Sequence, residues 1–423
     1  MLNHALLSET MLSALQQHLL EMKIYPWAPV KLDTYKSMET VPMAEIIFIS
    51  MNLLCLFHAF SHHSKQQRRK HQLLWLCSLV GAAPYHFYFS TIPSVNNFWH
   101  CQATLMLSPR MPLYYLCYLS VRLYLPTAIA WLGGFSNPSQ PPMTGLVAVL
   151  VSSGFDMVGL KMLWFTFHDS DNMTNPRIVG VPVSLIMFVC VSSSTFVYIF
   201  NKTPVVLEHI AGPGYRYGYC ESICTFGAVA LLSLPLTILQ MAIMQCILGY
   251  TFAPKIAPPS MMMLLFMMAM YIAIALSYGM YEQRPDKRKE LLLKNNPILL
   301  VLTVCIHYTF LTYMVIFGKP ENHISVGLQQ EYGDCNEKVV DYTGYLERNK
   351  YICREKRINW DAFEFVDSEI PKAGDKWYKI KGVAKTDEWV FGMTFTLFTS
   401  LTFISLLIAS AVYERSLITS REE

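Results

Sequence analysis

The sequence predicts an all-α polytopic membrane protein, a transmembrane helix bundle of about nine spans with a hydrophilic loop domain between the last two. Three observations predict it. Only 15% of the 423 residues are charged while 53% are hydrophobic, against roughly a quarter charged in a soluble globular chain. The missing charge is concentrated in windows of about 20 apolar residues, the length that a bilayer core of roughly 30 Å requires. The two strongest basic clusters, 65–70 and 284–294, follow spans one and seven. A nine-span count therefore puts both on one side, as the rule of basic cytoplasmic loops demands.

The elements follow in order. Residues 1–40 are an outer N-terminal segment. Leu2, Leu6, Leu12, Leu15 and Leu19 recur at near-helical spacing and predict an amphipathic surface helix. The bundle of spans one to eight occupies 41–317. Its spans are 41–60, 73–93, 111–133, 143–167, 178–200, 222–251, a Met-rich 259–281, and 297–317. Residues 318–388 form the outer hydrophilic loop domain. The last span, 389–413, and a short tail complete 389–423. The basic clusters orient the chain with its N-terminus outside or luminal and its C-terminus cytoplasmic, in the plasma membrane or the secretory pathway.

That orientation sets the chemistry of the loops. Cys335 and Cys353 fall in the outer segment 318–388, where disulfides persist, and are predicted to pair. Asn172-Met173-Thr174 is a glycosylation sequon on the same side. Asn201-Lys202-Thr203 has the same pattern on the inner side. His62 and His63, within the basic inner loop, read as solvated.

Ionisable groups inside spans cost several kcal/mol and need a partner or a function. Arg122 and Asp156 lie midway along spans three and four, at similar distances from the turn between them, so at about 1.5 Å per residue they reach similar depth. They are predicted to pair, either as a packing device or as a catalytic or ligand-binding couple. Lys161 is turned roughly 140° from Asp156 about the helix and so points elsewhere, toward the interface or toward Glu45. With Trp164 these two complete a candidate ligand-binding set. His307, midway along span eight, reads as a hydrogen-bonded core histidine.

The outer ends of spans two to five are rich in His, Asp and Trp. Histidines and carboxylates converging at a bundle mouth suit a metal such as Zn or Fe or acid–base work. His86, His100, His168 and Asp169 are the candidates. The alternative is an interfacial belt of aromatic and polar residues. No known ligand motif such as HExxH is present.

Asp156, Trp164 and Gly180-Val181-Pro182, in the stretch FDMVGLKMLWFTFHDSD…RIVGVPVSLIMFV, resemble the membrane family of carotenoid biosynthesis proteins that includes carotenoid hydratases. That family carries an Asp-bearing helix, a Trp-rich segment and a Gly-Val-Pro opening the next helix. MPLYYLCYLSVRLYLP is similar to its preceding Pro-led helix, with Pro112 as the proline. The likeness spans 41–200 and implies a shared membrane scaffold. The whole chain also resembles an invertebrate multi-pass membrane family with no assigned activity.

Two functions follow as expectations. The first is binding of a lipophilic ligand within the bundle, with action on an isoprenoid or other lipid through Asp156 and Arg122. The second is a non-enzymatic subunit of a membrane complex, docking a protein partner through 318–388. The bilayer is the common partner. A net charge of +3 gives a nucleic acid no support, and no motif names a cofactor.

Overall fold

The computed structural model describes residues 16, 20, 38–62, 64–92, 96–171, 174, 176–211, 218–244, 259–279, 297–340, 347–352, 363–366, 370–384 and 388–419. The predicted surface helix of 1–40, the basic cluster 284–294, His63, Asn172 and Cys353 lie outside these residues.

Nine long helices are present among the described residues: α1 (Thr40–Phe60), α2 (Lys65–Thr91), α3 (Leu113–Leu132), α4 (Gln140–Lys161), α5 (Val183–Ala211), α6 (Gly218–Met244), α7 (Pro259–Gly279), α8 (Ile298–Phe317) and α9 (Glu388–Thr419). Six of them, α1, α4, α5, α6, α8 and α9, are long and apolar enough to cross a membrane. Composition explains two of the others. The first turns of α2 carry Lys65, Arg68, Arg69 and Lys70. In α3, apolar residues are mixed with Tyr114, Tyr115, Tyr118, Tyr124 and Arg122.

Several ends differ from the sequence expectation. Span four was expected over 143–167, but its helix stops at Lys161. Leu163 then turns through a left-handed backbone, φ 52°, and Phe165–Phe167 run as a strand. An apolar strand directly after an apolar helix leaves no break in hydropathy. In the other direction, α5 continues to Ala211, so Asn201-Lys202-Thr203 is helical rather than part of a loop.

Consecutive helices α1 to α6 pack against their neighbours. The α4–α5 contact is close: a Cβ on Gly145 would stand 2.7 Å from the Cys190 carbonyl oxygen and would collide with Ser194 Oγ. Only glycine permits it, which is how membrane helices approach without hydrophobic drive between them. Phe48 of α1 sits in an aromatic core, with ring contacts to Tyr118, Phe155, Trp164 and Phe310 at 4.9–6.2 Å. It joins α1, α3, α4 and α8. Apolar side chains such as Ile46, Leu53, Leu231, Leu239, Ile316 and Leu407 remain exposed on the outside, as on lipid-facing helices.

Short strands gather at one end, here the loop end. β1 (Phe98–His100) pairs antiparallel with β4 (Phe165–Phe167), β2 (Met106–Ser108) with β3 (Met111–Pro112), and β5 (Arg177–Ile178) with β6 (Val181–Pro182). The segment 318–388 adds β7 (Ile324–Leu328), β8 (Lys338–Val340), β9 (Glu347–Asn349), β10 (Phe363–Phe365) and β11 (Trp377–Gly382). Three of these form a sheet in the order β10-β11-β7, and Gln102 N–H donates to the Val326 carbonyl at 2.7 Å. The segment is thus seated on the loop end of its own bundle. The opposite end, made by the α1–α2 and α3–α4 turns, is the hairpin end.

Candidate functional site

Three polar regions were candidates, and the structure treats them differently. At the loop end two of the four expected mouth residues, His168 and Asp169, hold segment 318–388 together with Thr166 and Asp171. Asp171 forms a salt bridge with Arg348 at 2.8 Å. Ring Nε2 of His168 lies 3.1 Å from Gln330 Nε2, and Gln330 Oε1 accepts from the Asp169 N–H at 3.0 Å. Thr166 donates to Gln329 Oε1 at 3.2 Å. Burial, with Arg348 nearby, holds the His168 pKa well below the usual imidazole value. That stabilises the neutral ring this hydrogen-bonded seat needs. Burial likewise lowers His323, to about 4.

The proposed metal set does not gather into one cluster. His86 and His100 are neighbours, ring centroids 5.5 Å apart, inside a box of Phe98, Tyr115 and Phe165. Burial and His86 push His100 well below its ordinary pKa. His168 stands apart, against Trp99, and Asp169 acts electrostatically on Arg177. Among the described residues these four do not form a group of three metal-ligating side chains.

The ligand-binding set is also divided. Glu45 accepts from Thr104 Oγ1 at 2.6 Å and from the Thr104 and Leu105 N–H groups at 2.9 and 3.2 Å. It pins the loop before β2 onto α1. Trp164 donates to Thr40 Oγ1 at 3.0 Å and stacks on Phe310 with ring planes 5° apart. Lys161 lies half-buried in the last turn of α4, where a cation complements the helix carbonyls.

At mid-depth, Arg122 and Asp156 are buried, with 3% and 6% of their surface exposed. The expected direct ion pair is not made: no Arg122–Asp156 contact within 4.0 Å occurs among the described residues. The two groups still interact electrostatically, and both act on Tyr115 and Tyr118. Arg122 Nε is buried with no hydrogen-bond partner, and the buried Tyr118 and Ser152 hydroxyls face each other nearby. His307 behaves as expected, donating from Nε2 to the Val151 carbonyl at 3.0 Å.

The hairpin end holds what the sequence reading missed. His58 in the last turn of α1, His62 just beyond it and His71 in α2 bring their ligating atoms within 4.8 Å of one another. His62 is 2% exposed, a correction to the solvated reading drawn from its basic neighbours. His58 and His62 are four residues apart, one helical turn, and a short turn returns the chain to His71. That local spacing was the available signal. Tyr124 of α3, which lies 2.8 Å from His58 Nδ1 and 3.3 Å from His71 Nδ1, gave none.

Comparison with known proteins places 16–412 in one family model, a domain of unknown function termed DUF7802. The chain belongs to that family. No curated protein matches the chain, and no solved structure matches it. The likeness to the carotenoid hydratase family therefore rests on the sequence motifs alone.

Proposed function

We propose that this family member is a nine-span integral membrane protein that binds a lipophilic ligand inside its bundle, with the ligand's polar end between Arg122 and Asp156. One observation carries the reading. A guanidinium and a carboxylate are both buried at mid-depth, yet they make no direct salt bridge. An uncompensated buried charge costs several kcal/mol. A polar group bridging the two, with Tyr118 and Ser152 beside it, offsets that cost, and an apolar tail suits the surrounding bundle. Action on an isoprenoid or other lipid would use Asp156 as the acid and Arg122 as its partner.

The same reading keeps the N-terminus outside and the C-terminus cytoplasmic, in the plasma membrane or secretory pathway. It keeps a Cys335–Cys353 disulfide and a glycan on Asn172. Cys335 is not among the free thiols, and Tyr332 and Ile352 form a parallel bridge, which supports the reading. The alternative role of 318–388 as a dock for another protein has less support, because the described contacts of its inner face are to its own bundle.

The test is extraction and mass spectrometry of small molecules that copurify with the full-length protein in mild detergent. A lipophile bound to the wild type and depleted at least about tenfold in Arg122→Met and Asp156→Asn, a loss of about 1.4 kcal/mol, supports the reading. Equal recovery from correctly folded variants overturns it.

A further inference from the structure

We infer that His58, His62 and His71 form a metal site for a divalent transition ion, zinc by preference, at the hairpin end of the bundle. Three elements build it. The last turn of α1 supplies His58 and the short α1–α2 turn supplies His62. The second turn of α2 supplies His71. All three are buried, at 1%, 2% and 1% exposure. Their rings crowd together, with centroids 4.8 Å (His58–His62), 5.2 Å (His58–His71) and 3.9 Å (His62–His71) apart. Protonating such a trio would press like charges together in a poorly solvated place, whereas one cation shared by three neutral rings turns the same crowding into coordination.

The hydrogen bonds select the right face of the rings. Tyr124 Oη meets Nδ1 of both His58 and His71. A phenol carries one proton, so it can donate to at most one of them. At least one imidazole must therefore donate Nδ1–H to the oxygen, which leaves its lone pair on Nε2. When both donate, both lone pairs of the tyrosine oxygen are used and both Nε2 atoms become ligands. This is the outer-sphere hydrogen bond that ordinarily fixes the tautomer of a metal-bound histidine. Trp131 closes the other side, edge-on to His71 at 5.1 Å.

The donor set narrows the ion. Three imidazoles without thiolate or carboxylate suit Zn, Cu, Ni or Co rather than Mg or Ca. Tetrahedral coordination at about 2.0–2.1 Å requires ligand atoms roughly 3.3 Å apart. One ring nitrogen of each histidine already lies within 4.8 Å of the others, and ring rotation would close the remaining distance. Three protein ligands leave a fourth position for water or a substrate oxygen, the pattern of catalytic rather than closed structural zinc sites.

The experiment uses the full-length protein purified in detergent, stripped with chelator and titrated with Zn(II) or Co(II) alone. Uptake of about one equivalent, with the intense visible bands of four-coordinate Co(II), supports the site. His58→Ala and His71→Ala abolish that uptake, while His209→Ala, on an exposed position of α5, leaves it intact. Tyr124→Phe keeps all three ligands and the ring volume; it weakens metal affinity about 10–100-fold if Tyr124 orients the ligands. This variant answers the question even where a histidine variant fails to fold. Absent stoichiometric uptake by the wild type, or uptake unchanged in folded His58→Ala, His71→Ala and Tyr124→Phe, overturns the inference.

Discussion

The two ends of the bundle carry comparable numbers of histidines and arrange them in opposite ways. At the loop end, His86 and His100 are neighbours, but His168 stands apart from them. His168 is held by Gln330 of segment 318–388 on one ring nitrogen and accepts from the Ser170 N–H on the other, and its neighbour Asp171 is held by Arg348. At the hairpin end, three histidines converge on one point and share one tyrosine. A dense run of polar residues in sequence thus marks a place where a loop is fastened down. The sparser end has the geometry of a binding site. Convergence in space, rather than abundance along the chain, distinguishes the two.

That contrast can be broken most forcefully by removing metal. Chelation of metal-loaded protein should lower the stability of the hairpin end by about 4 kcal/mol, the linkage expected when ligand is present at roughly 1,000 times its dissociation constant. Hydrogen exchange should rise in the Thr40–Phe60 and Lys65–Thr91 helices near their shared turn and stay unchanged in Ile324–Leu328. Equal loosening of both ends would remove the distinction.

The next largest effect belongs to the loop end. Arg348→Ala removes the Asp171 ion pair in a nearly enclosed site, side-chain exposures being 10% and 8%. The expected loss is about 3 kcal/mol, read as a lower thermal midpoint and faster proteolysis of 318–388. Zinc uptake should not change.

Acid should produce a smaller and graded effect at the same end. His168 and His323 have folded pKa values below the ordinary 6.5, His323 at about 4. Each is neutral in the fold and takes up a proton on unfolding, so its contribution is complete above pH 6.5 and declines as pH falls below it. The slope is about 1.4 kcal/mol per pH unit for each group, between 6.5 and its folded value. Stability measured from pH 7 to pH 5 should therefore fall, and His168→Gln should flatten the curve. A curve that rises toward acid would refute the neutral, seated histidine.

The helices were legible in the sequence because a bilayer-length apolar run has one economical conformation. Their ends were not. The helix stop at Lys161 and the turn at Leu163 lie inside an unbroken apolar stretch, so neither hydropathy nor a proline marks them. The site was legible only in part. The close spacing of His58, His62 and His71 along the chain was visible locally, but the basic residues between them suggested water. What buries them comes from Tyr124 and Trp131, more than 50 residues later. The loop-end residues were misread for the same reason, since Gln330 and Arg348 lie 160 to 180 residues away from the side chains they hold.

Arg122 and Tyr124 are two residues apart on α3, about 3 Å along its axis and nearly opposite around it. The proposed ligand position and the proposed metal position would thus sit back to back on a single turn of helix. An axial slide of α3 that brings Arg122 onto a ligand must carry Tyr124 with it, lengthening or shortening its bonds to His58 and His71. With both proposed positions filled, such a turn would act as a rigid crank, and a ligand that shifted metal affinity would by reciprocity be held more or less tightly when the metal is bound.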